Sequence, residues 1–157
     1  MFKVGIIGAG WIADKMALSL APLSDFCVEA IASRSLDKAR EFAQKYNIRK
    51  AYGSYDALAA DDEIDLVYVA TPHSHHFEHS MLALKYGKPV LVEKAFTANA
   101  REARILLETA HEKGVFITEA IWTRYMPSLT IMKDIIASDT PSGSGIRVTP
   151  QGSFGKR

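Results

Sequence analysis

Cysteine is nearly absent. Cys27 is the single one in 157 residues, so no disulfide can form within the chain. It lies in an apolar run and reads as a small buried residue, not a nucleophile. That usage fits a reducing compartment, and a cytoplasmic protein is expected. An excess of one charge is missing as well. Lys and Arg total 19 against 18 Asp and Glu, a formal net charge of +1. There is thus no basic field for nucleic acid and no acidic tail of a disordered segment. No apolar run is long enough to cross a membrane, and "MFKVGIIGAG" lacks a small-residue cleavage site, so neither a membrane span nor a signal peptide is expected. Repeats and low-complexity tracts are absent. What is present is ordinary for a soluble globular protein, 48% hydrophobic and 24% charged residues, in a chain long enough for one domain with a core.

Apolar runs alternate with amphipathic ones. Strands are predicted over 2–8, 27–33, 51–53, 64–70, 89–93 and 115–120. Helices are predicted between them, over 11–23, 35–47, 54–61, 74–87 and 99–114. Ile12, Met16 and Leu20 share one face of the first helix. Ser35 is a candidate N-cap, Asn99 with Glu102 a capping box, and Gly87 and Gly114 helix stops. Continuous apolar strands separated by such helices imply βαβ units with strands buried on both faces. The expected fold is a doubly wound, Rossmann-like α/β domain with a parallel sheet over residues 1–120. The polar stretch "SDTPSGSG" (138–145) changes the character of the chain, and after it one short strand is predicted, over 146–149.

Gly8-Ala9-Gly10-Trp11-Ile12-Ala13 is a G-x-G-x-x-A placed between the first strand and the first helix. Gly8 allows a tight turn, Gly10 a close backbone approach by a pyrophosphate, and Ala13 close packing of helix on strand. The helix N-terminus offers Trp11, Ile12 and their neighbours as N–H donors to phosphate. The second strand ends in "ASRS", with no acid to receive the ribose hydroxyls of NAD. Ser33 and Arg34 instead suit the 2′-phosphate of NADP, with the guanidinium able to stack on adenine; NAD remains a possible cofactor. The missing acid also argues against a methyltransferase-like site.

The loop after the third long strand reads Ala70-Thr71-Pro72-His73 and continues through His75, His76 and His79. His75 and His79 have i, i+4 spacing, yet zinc needs three placed ligands, and no metal is expected. Thr71, Pro72, His73 and His76 are expected to border the cofactor, with one or two histidines facing the nicotinamide pocket. Glu93-Lys94 ends the apolar strand "PVLVE" where ligands of open α/β sheets bind. Lys94 there could hydrogen-bond a substrate hydroxyl and do acid–base work, with Glu93 fixing its orientation. Trp122 and Arg124, with Tyr125, fall just past the last strand.

Together, "GIIGAGWIA", "ASRSLDKAREFAQKYN", "DLVYVATPHSHHFEHSMLALKYGKPVLVEKAF", the helix after it and "TEAIWTRYMP" resemble the Gfo/Idh/MocA oxidoreductase family across residues 1–136. "EAIWTRYMP" with His73 and His76 is most similar to the NADP-linked dihydrodiol dehydrogenase branch. The resemblance implies hydride transfer on a sugar, polyol or diol. It implies that Lys94 is catalytic beside the nicotinamide, and that His76, Trp122 and Arg124 belong to the site. It implies a second α/β domain, often a dimer interface, of which 121–157 would be the start. Two departures stand out. Ala95 replaces the family's proline, and since alanine prefers a trans bond a different backbone is expected at Lys94. The chain also ends at Arg157, so an alternative expectation is a dinucleotide-binding module without turnover.

Overall fold

The computed structural model describes residues 1–138, so the strand expected over 146–149 and nearly all of the polar stretch 138–145 lie outside the described residues. The chain divides into a unit of Met1–Ile121 and a second unit from Trp122 on. In the first unit, six strands form one parallel sheet: β1 (Phe2–Ile7), β2 (Phe26–Ala32), β3 (Lys50–Tyr52), β4 (Leu66–Val69), β5 (Val90–Val92) and β6 (Ile117–Glu119). Their spatial order is β3-β2-β1-β4-β5-β6. The direction of winding reverses between β1 and β4, and such a switch point is where open α/β sheets bind ligands.

The helices are α1 (Trp11–Leu20), α2 (Leu36–Tyr46), α3 (Tyr55–Ala59), α4 (His76–Lys85) and α5 (Ala100–Lys113). Alternation along the strands sorts them onto two faces. Val4, Ile6, Ile31 and Tyr68 pack with Ala13 and Ala17 of α1 and Ala39, Phe42 and Ala43 of α2. Ile7, Ala32, Val67, Val69, Val90 and Val92 pack with Leu58 of α3, Ala83 and Leu84 of α4, and Leu106 and Ala110 of α5. The innermost positions of α1 are thus its two alanines, which bring the helix close to the sheet, while Ile12, Met16 and Leu20 flank them half-buried.

Helix ends follow their capping residues. The Ser35 hydroxyl accepts from Lys38 N–H, and Ser54 from Ala57 N–H. Asn99 accepts from Glu102 N–H at 3.0 Å, but the Glu102 carboxylate returns to Ala98 N–H at 3.2 Å, one residue before the usual partner. The helix expected over 74–87 begins as a tight turn, His73–His75, because Pro72 precedes it and His75 N–H closes onto the Pro72 carbonyl at 2.9 Å. The second unit holds a turn at Trp122–Tyr125 and α6 (Pro127–Ser138), an element not anticipated from sequence although Pro127 stands at the favoured first helical position. No helix among the described residues is long and apolar enough to cross a membrane.

The strand registers place Ala32, Ile7, Val69, Val92 and Glu119 in one row across the sheet. The residues that follow are tied level with one another. Gly8 N–H donates to Ala32 O (2.9 Å), Ala70 to Ile7 (2.9 Å), Glu93 to Val69 (3.0 Å) and Ala120 to Val92 (2.7 Å). The carboxyl edge of the sheet is therefore a rigid ridge carrying Ser33, Gly8, Ala70, Glu93 and Ala120.

The region around β3 carries a charge network instead. Lys50 bonds Asp61 at 2.7 Å and also Glu63, while Arg49 pairs with Glu29 and Glu63. Burial opposes ionisation of Asp61. The Lys50 ammonium, the Glu63 N–H and the Tyr52 hydroxyl outweigh it and hold the carboxyl below its ordinary 3.8. A lowered folded value means the stabilisation is present above the unfolded value and is lost as pH falls through the folded one. Thermal unfolding should therefore lose stability steeply below about pH 4. Asp61→Asn should lower Tm at pH 7 and flatten that acid limb; an unchanged acid limb in the variant would refute the assignment.

Candidate functional site

The ridge at the switch point is built by β1 running into α1. Gly8 has φ +104°, and a Cβ there would meet the Ala70 carbonyl oxygen at 2.8 Å, so glycine is dictated by the fold. Gly10 is different. Its φ of −106° and ψ of −177° are extended backbone open to any residue, and a Cβ would find no atom within 4 Å. It is also the N-cap of α1, and it supplies no side-chain acceptor where Ser, Asp or Asn would cap better. The first N–H groups of α1 thus have no side-chain cap, with the positive end of the helix behind them. Trp11 is exposed beside this terminus, with the Lys15 ammonium 5.4 Å from its ring. Ile12 is half-buried.

At the end of β2, Ser33 is buried and its hydroxyl accepts from Ser35 N–H at 3.4 Å, which leaves its own O–H to donate. Arg34 is exposed and makes no ion pair among the described residues. It forms one wall of a cleft of about 260 Å³ whose other walls include Thr71, Pro72, His75 and His79. A dinucleotide fits this arrangement, because phosphate donors, an unpaired guanidinium and a concave surface lie along one edge, and no acid closes β2 beside Ser33 and Arg34.

Past β5, Glu93 and Lys94 separate in role. The Glu93 carboxylate accepts from the Tyr68 hydroxyl and, at 3.2 Å, from the backbone N–H of Lys94. Burial first, and then this bond to Glu93, push the Tyr68 hydroxyl well above its ordinary value, so it stays a donor. Glu93 therefore fixes Lys94 through the main chain, and the exposed Lys94 ammonium has no partner among the described residues. The Lys94–Ala95 peptide is cis, contrary to the trans bond expected of alanine.

The histidines are also placed differently from expectation. His76 is 1% exposed, with Nδ1 2.8 Å from the Ala95 carbonyl and Nε2 2.9 Å from the Thr71 carbonyl. It presents no free nitrogen to a ligand and instead fastens the loop after β4 to the loop after β5. A neutral ring can donate to one of these carbonyls, an imidazolium to both. His79 is likewise buried, its Nδ1 2.9 Å from Thr71 Oγ1. His73 is exposed and its ring lies 5.3 Å from that of His76. Among the described residues no three His, Cys, Asp or Glu side chains gather in a metal-holding group. Trp122 and Arg124 are exposed in the turn that opens the second unit.

Sequence reasoning missed Tyr68. Its signal was a lone hydroxyl in the aliphatic strand "IDLVYVA", since a buried tyrosine O–H needs an acceptor. Tyr55 and Glu78, which line the cleft with His75 and His79, were also missed, because they come from α3 and α4 and share that wall only in space.

Fold and site define a dinucleotide-binding α/β protein of the Rossmann type. The family model described as "Oxidoreductase family, NAD-binding Rossmann fold" matches residues 2–120, and the chain belongs to that family, Gfo/Idh/MocA. It is 44% identical over 138 residues to a trans-1,2-dihydrobenzene-1,2-diol dehydrogenase of Mus musculus, covering 87% of this chain and 41% of the relative. It is 52% identical over 148 residues to a D-xylose 1-dehydrogenase (NADP(+)) of Hypocrea jecorina, covering 87% and 38%. Among solved structures, a 3-ketoreductase from Actinomadura kijaniata in complex with NADP superposes with a TM-score of 0.83 at 31% identity, over 88% of this chain and 44% of that one. The chain thus spans less than half the length of these relatives.

Proposed function

We propose that the chain holds the cofactor of an NADP-linked oxidoreductase that acts on a sugar, polyol or diol. The carrying observation is Gly10: no backbone angle and no neighbouring atom requires glycine there, and a better helix cap is forgone. That choice makes sense where a pyrophosphate must reach the first N–H groups of α1. Ser33 and the unpaired Arg34, with no acid beside them, support the 2′-phosphate of NADP over the plain ribose of NAD. The named activities of the diol and xylose dehydrogenases support the substrate class.

In this reading Gly8 sets the turn, Gly10, Trp11 and Ile12 surround the pyrophosphate, and Thr71, Pro72 and His73 border the dinucleotide. When bound, the nicotinamide supplies or accepts a hydride. Lys94 donates a hydrogen bond to the substrate oxygen and moves its proton. Glu93, held by Tyr68, fixes the lysine backbone, and His76 locks the two loops against each other. Trp122 and Arg124 are assigned to the substrate side on the strength of the family resemblance. Residues 1–120 would form the dinucleotide domain, and those from 121 would open a second, substrate-side domain. The exposed Ile131, Met132 and Ile136 of α6 support self-association, and the protein is assigned to the cytoplasm.

Calorimetric titration with NADP⁺ and, separately, NAD⁺ tests the reading. NADP⁺ should bind more tightly by at least about tenfold, the worth of one charge-assisted contact to the extra phosphate. Equal affinities would overturn the Ser33–Arg34 assignment. Binding of neither would overturn the dinucleotide site itself.

A further inference from the structure

Between β5 and α5 the chain passes through Lys94, Ala95 and Phe96 outside any helix or strand. Main-chain groups in such a segment have no ladder to join and must find other partners. Here successive groups do so. Lys94 N–H donates to the Glu93 carboxylate at 3.2 Å, the Ala95 carbonyl lies 2.8 Å from His76 Nδ1, and Phe96 N–H donates to Glu119 Oε1 at 2.7 Å. Phe96 also packs against the core cluster that holds Val92 and Leu106. The backbone on both sides of Lys94 is thus tied down, and what stays unengaged is its exposed ammonium.

Glu119 is the member of this set that its own strand does not call for. Glutamate is depleted in strands, whereas the preceding Ile117 and Thr118 are favoured there. Its carboxylate makes no ion pair among the described residues, and its bond goes to the Phe96 main chain. Such a bond from an N–H to an ionised acceptor is roughly twice as strong as a neutral one. The register sets Glu119 level with Val92, and the Ala120 N–H closes onto the Val92 carbonyl at 2.7 Å. Glu119 therefore stands on a fixed strand end, and its side chain reaches across to the segment that leaves β5.

We propose that Glu119 is a positioning residue for Lys94: it holds the far side of the segment as Glu93 holds the near side, so that the ammonium is presented at one place on the ridge. The proposal rests on the reading of Lys94 as the group that meets the substrate oxygen, and adds to it a carboxylate from a different strand. Such support matters because a misplacement of about 1 Å at a reacting group can cost about 100-fold in rate.

The test compares wild type, Glu119→Ala and Glu119→Gln. In the ligand-free chain, amide hydrogen exchange reads local opening of the segment. In Glu119→Ala the Phe96 and Lys94 amides should exchange at least about tenfold faster, the worth of a hydrogen bond to a charged group. The Val67 and Ala70 amides, bonded to the Pro89 and Ile7 carbonyls, should keep their wild-type rates, which marks a fold left intact. Glu119→Gln keeps a neutral acceptor and should raise the Phe96 and Lys94 rates only about threefold. The second readout is the resonance of Lys94 with isotope-labelled methyl groups on its amine, titrated with NADP⁺ while calorimetry follows binding. In wild type and Glu119→Gln this resonance should shift as NADP⁺ binds. In Glu119→Ala most of that shift should be lost although calorimetry shows NADP⁺ bound. A residue that merely stabilised the end of β6 would lower Tm and leave the Lys94 response as in wild type.

Wild-type exchange at Lys94 in Glu119→Ala, or a wild-type Lys94 response there, would overturn the proposal and leave the NADP reading standing. Should Glu119→Ala fail to fold, Glu119→Gln carries the test, and Phe96 and Lys94 amide rates identical to wild type would overturn it. A Lys94 resonance that ignores bound NADP⁺ in wild type would overturn the reading of Lys94 itself and the proposal with it. Binding of no dinucleotide would overturn the dinucleotide site.

Discussion

Replacing Arg34 by alanine is expected to weaken NADP⁺ binding by about 10- to 100-fold, the range of a lost hydrogen bond to a charged group. NAD⁺ binding should change by no more than about threefold, the share due to stacking on the base at an exposed site. The asymmetry follows from where the charge acts. Arg34 makes no ion pair among the described residues, although Glu78 lines the same cleft, so its charge is available to a dianionic 2′-phosphate. NAD⁺ offers only hydroxyls at that point. Arg34→Lys should recover part of the loss, because a point charge replaces a bidentate fork. Raising salt from 0.05 to about 0.3 M should compress the wild-type preference for NADP⁺ and leave the alanine variant nearly flat, as screening of an exposed charge requires. Titrations of the three proteins against both dinucleotides decide it. A parallel loss for NADP⁺ and NAD⁺ in Arg34→Ala would mean that the arginine holds the base or the fold, not the phosphate.

The parts of this site legible in sequence are those whose chemistry is local. The glycine loop, the Ser33–Arg34 pair and the Asn99 cap each depend on neighbours within a few positions, and each stands where the spacing puts it. The strands were legible because burial on both faces makes them continuously apolar, and the alternation along β4 even separates Val67 and Val69 from Tyr68. What stayed hidden depends on register between distant segments. Tyr68 reaches Glu93 only because β4 pairs with β5 so that Tyr68 lies opposite Leu91. His76 looked like a ligand-facing residue, since histidines after a strand often are, but the first turn of α4 aims it at two carbonyls from loops 5 and 19 residues away. The cis peptide before Ala95 runs against the residue's own preference and carried no sequence signal at all. The cleft wall is a third case, for Arg34 and Glu78 meet the same space from elements 44 positions apart.

Gly8 and Gly10, two residues apart in one motif, should fail in opposite ways when substituted. A Cβ on Gly8 would lie 2.8 Å from the Ala70 oxygen and 3.0 Å from its carbonyl carbon, both main-chain atoms of the neighbouring strand's end, and φ of +104° is itself unfavourable to any side chain. Neither term can relax without parting β1 from β4. Gly8→Ala should therefore cost roughly 2–4 kcal/mol of stability, combining backbone strain with a steric shift in a packed ridge. For a chain of this size that lowers Tm by about 5–15 °C. Gly10→Ser meets no atom and keeps an ordinary extended backbone, and its hydroxyl can accept from the first turn of α1. Stability should hold or rise by a few tenths of a kcal/mol, since serine caps a helix at least as well as glycine. NADP⁺ binding should nevertheless fall by at least about tenfold, because the side chain occupies the approach to the N–H groups and competes for them. The informative result is the pairing of a raised or unchanged Tm with lost affinity in Gly10→Ser. If that variant bound NADP⁺ as wild type does, the pyrophosphate would have to lie elsewhere on the ridge. If it unfolded like Gly8→Ala, Gly10 would be a residue of the fold, and the main reason for placing a dinucleotide at this helix would be gone.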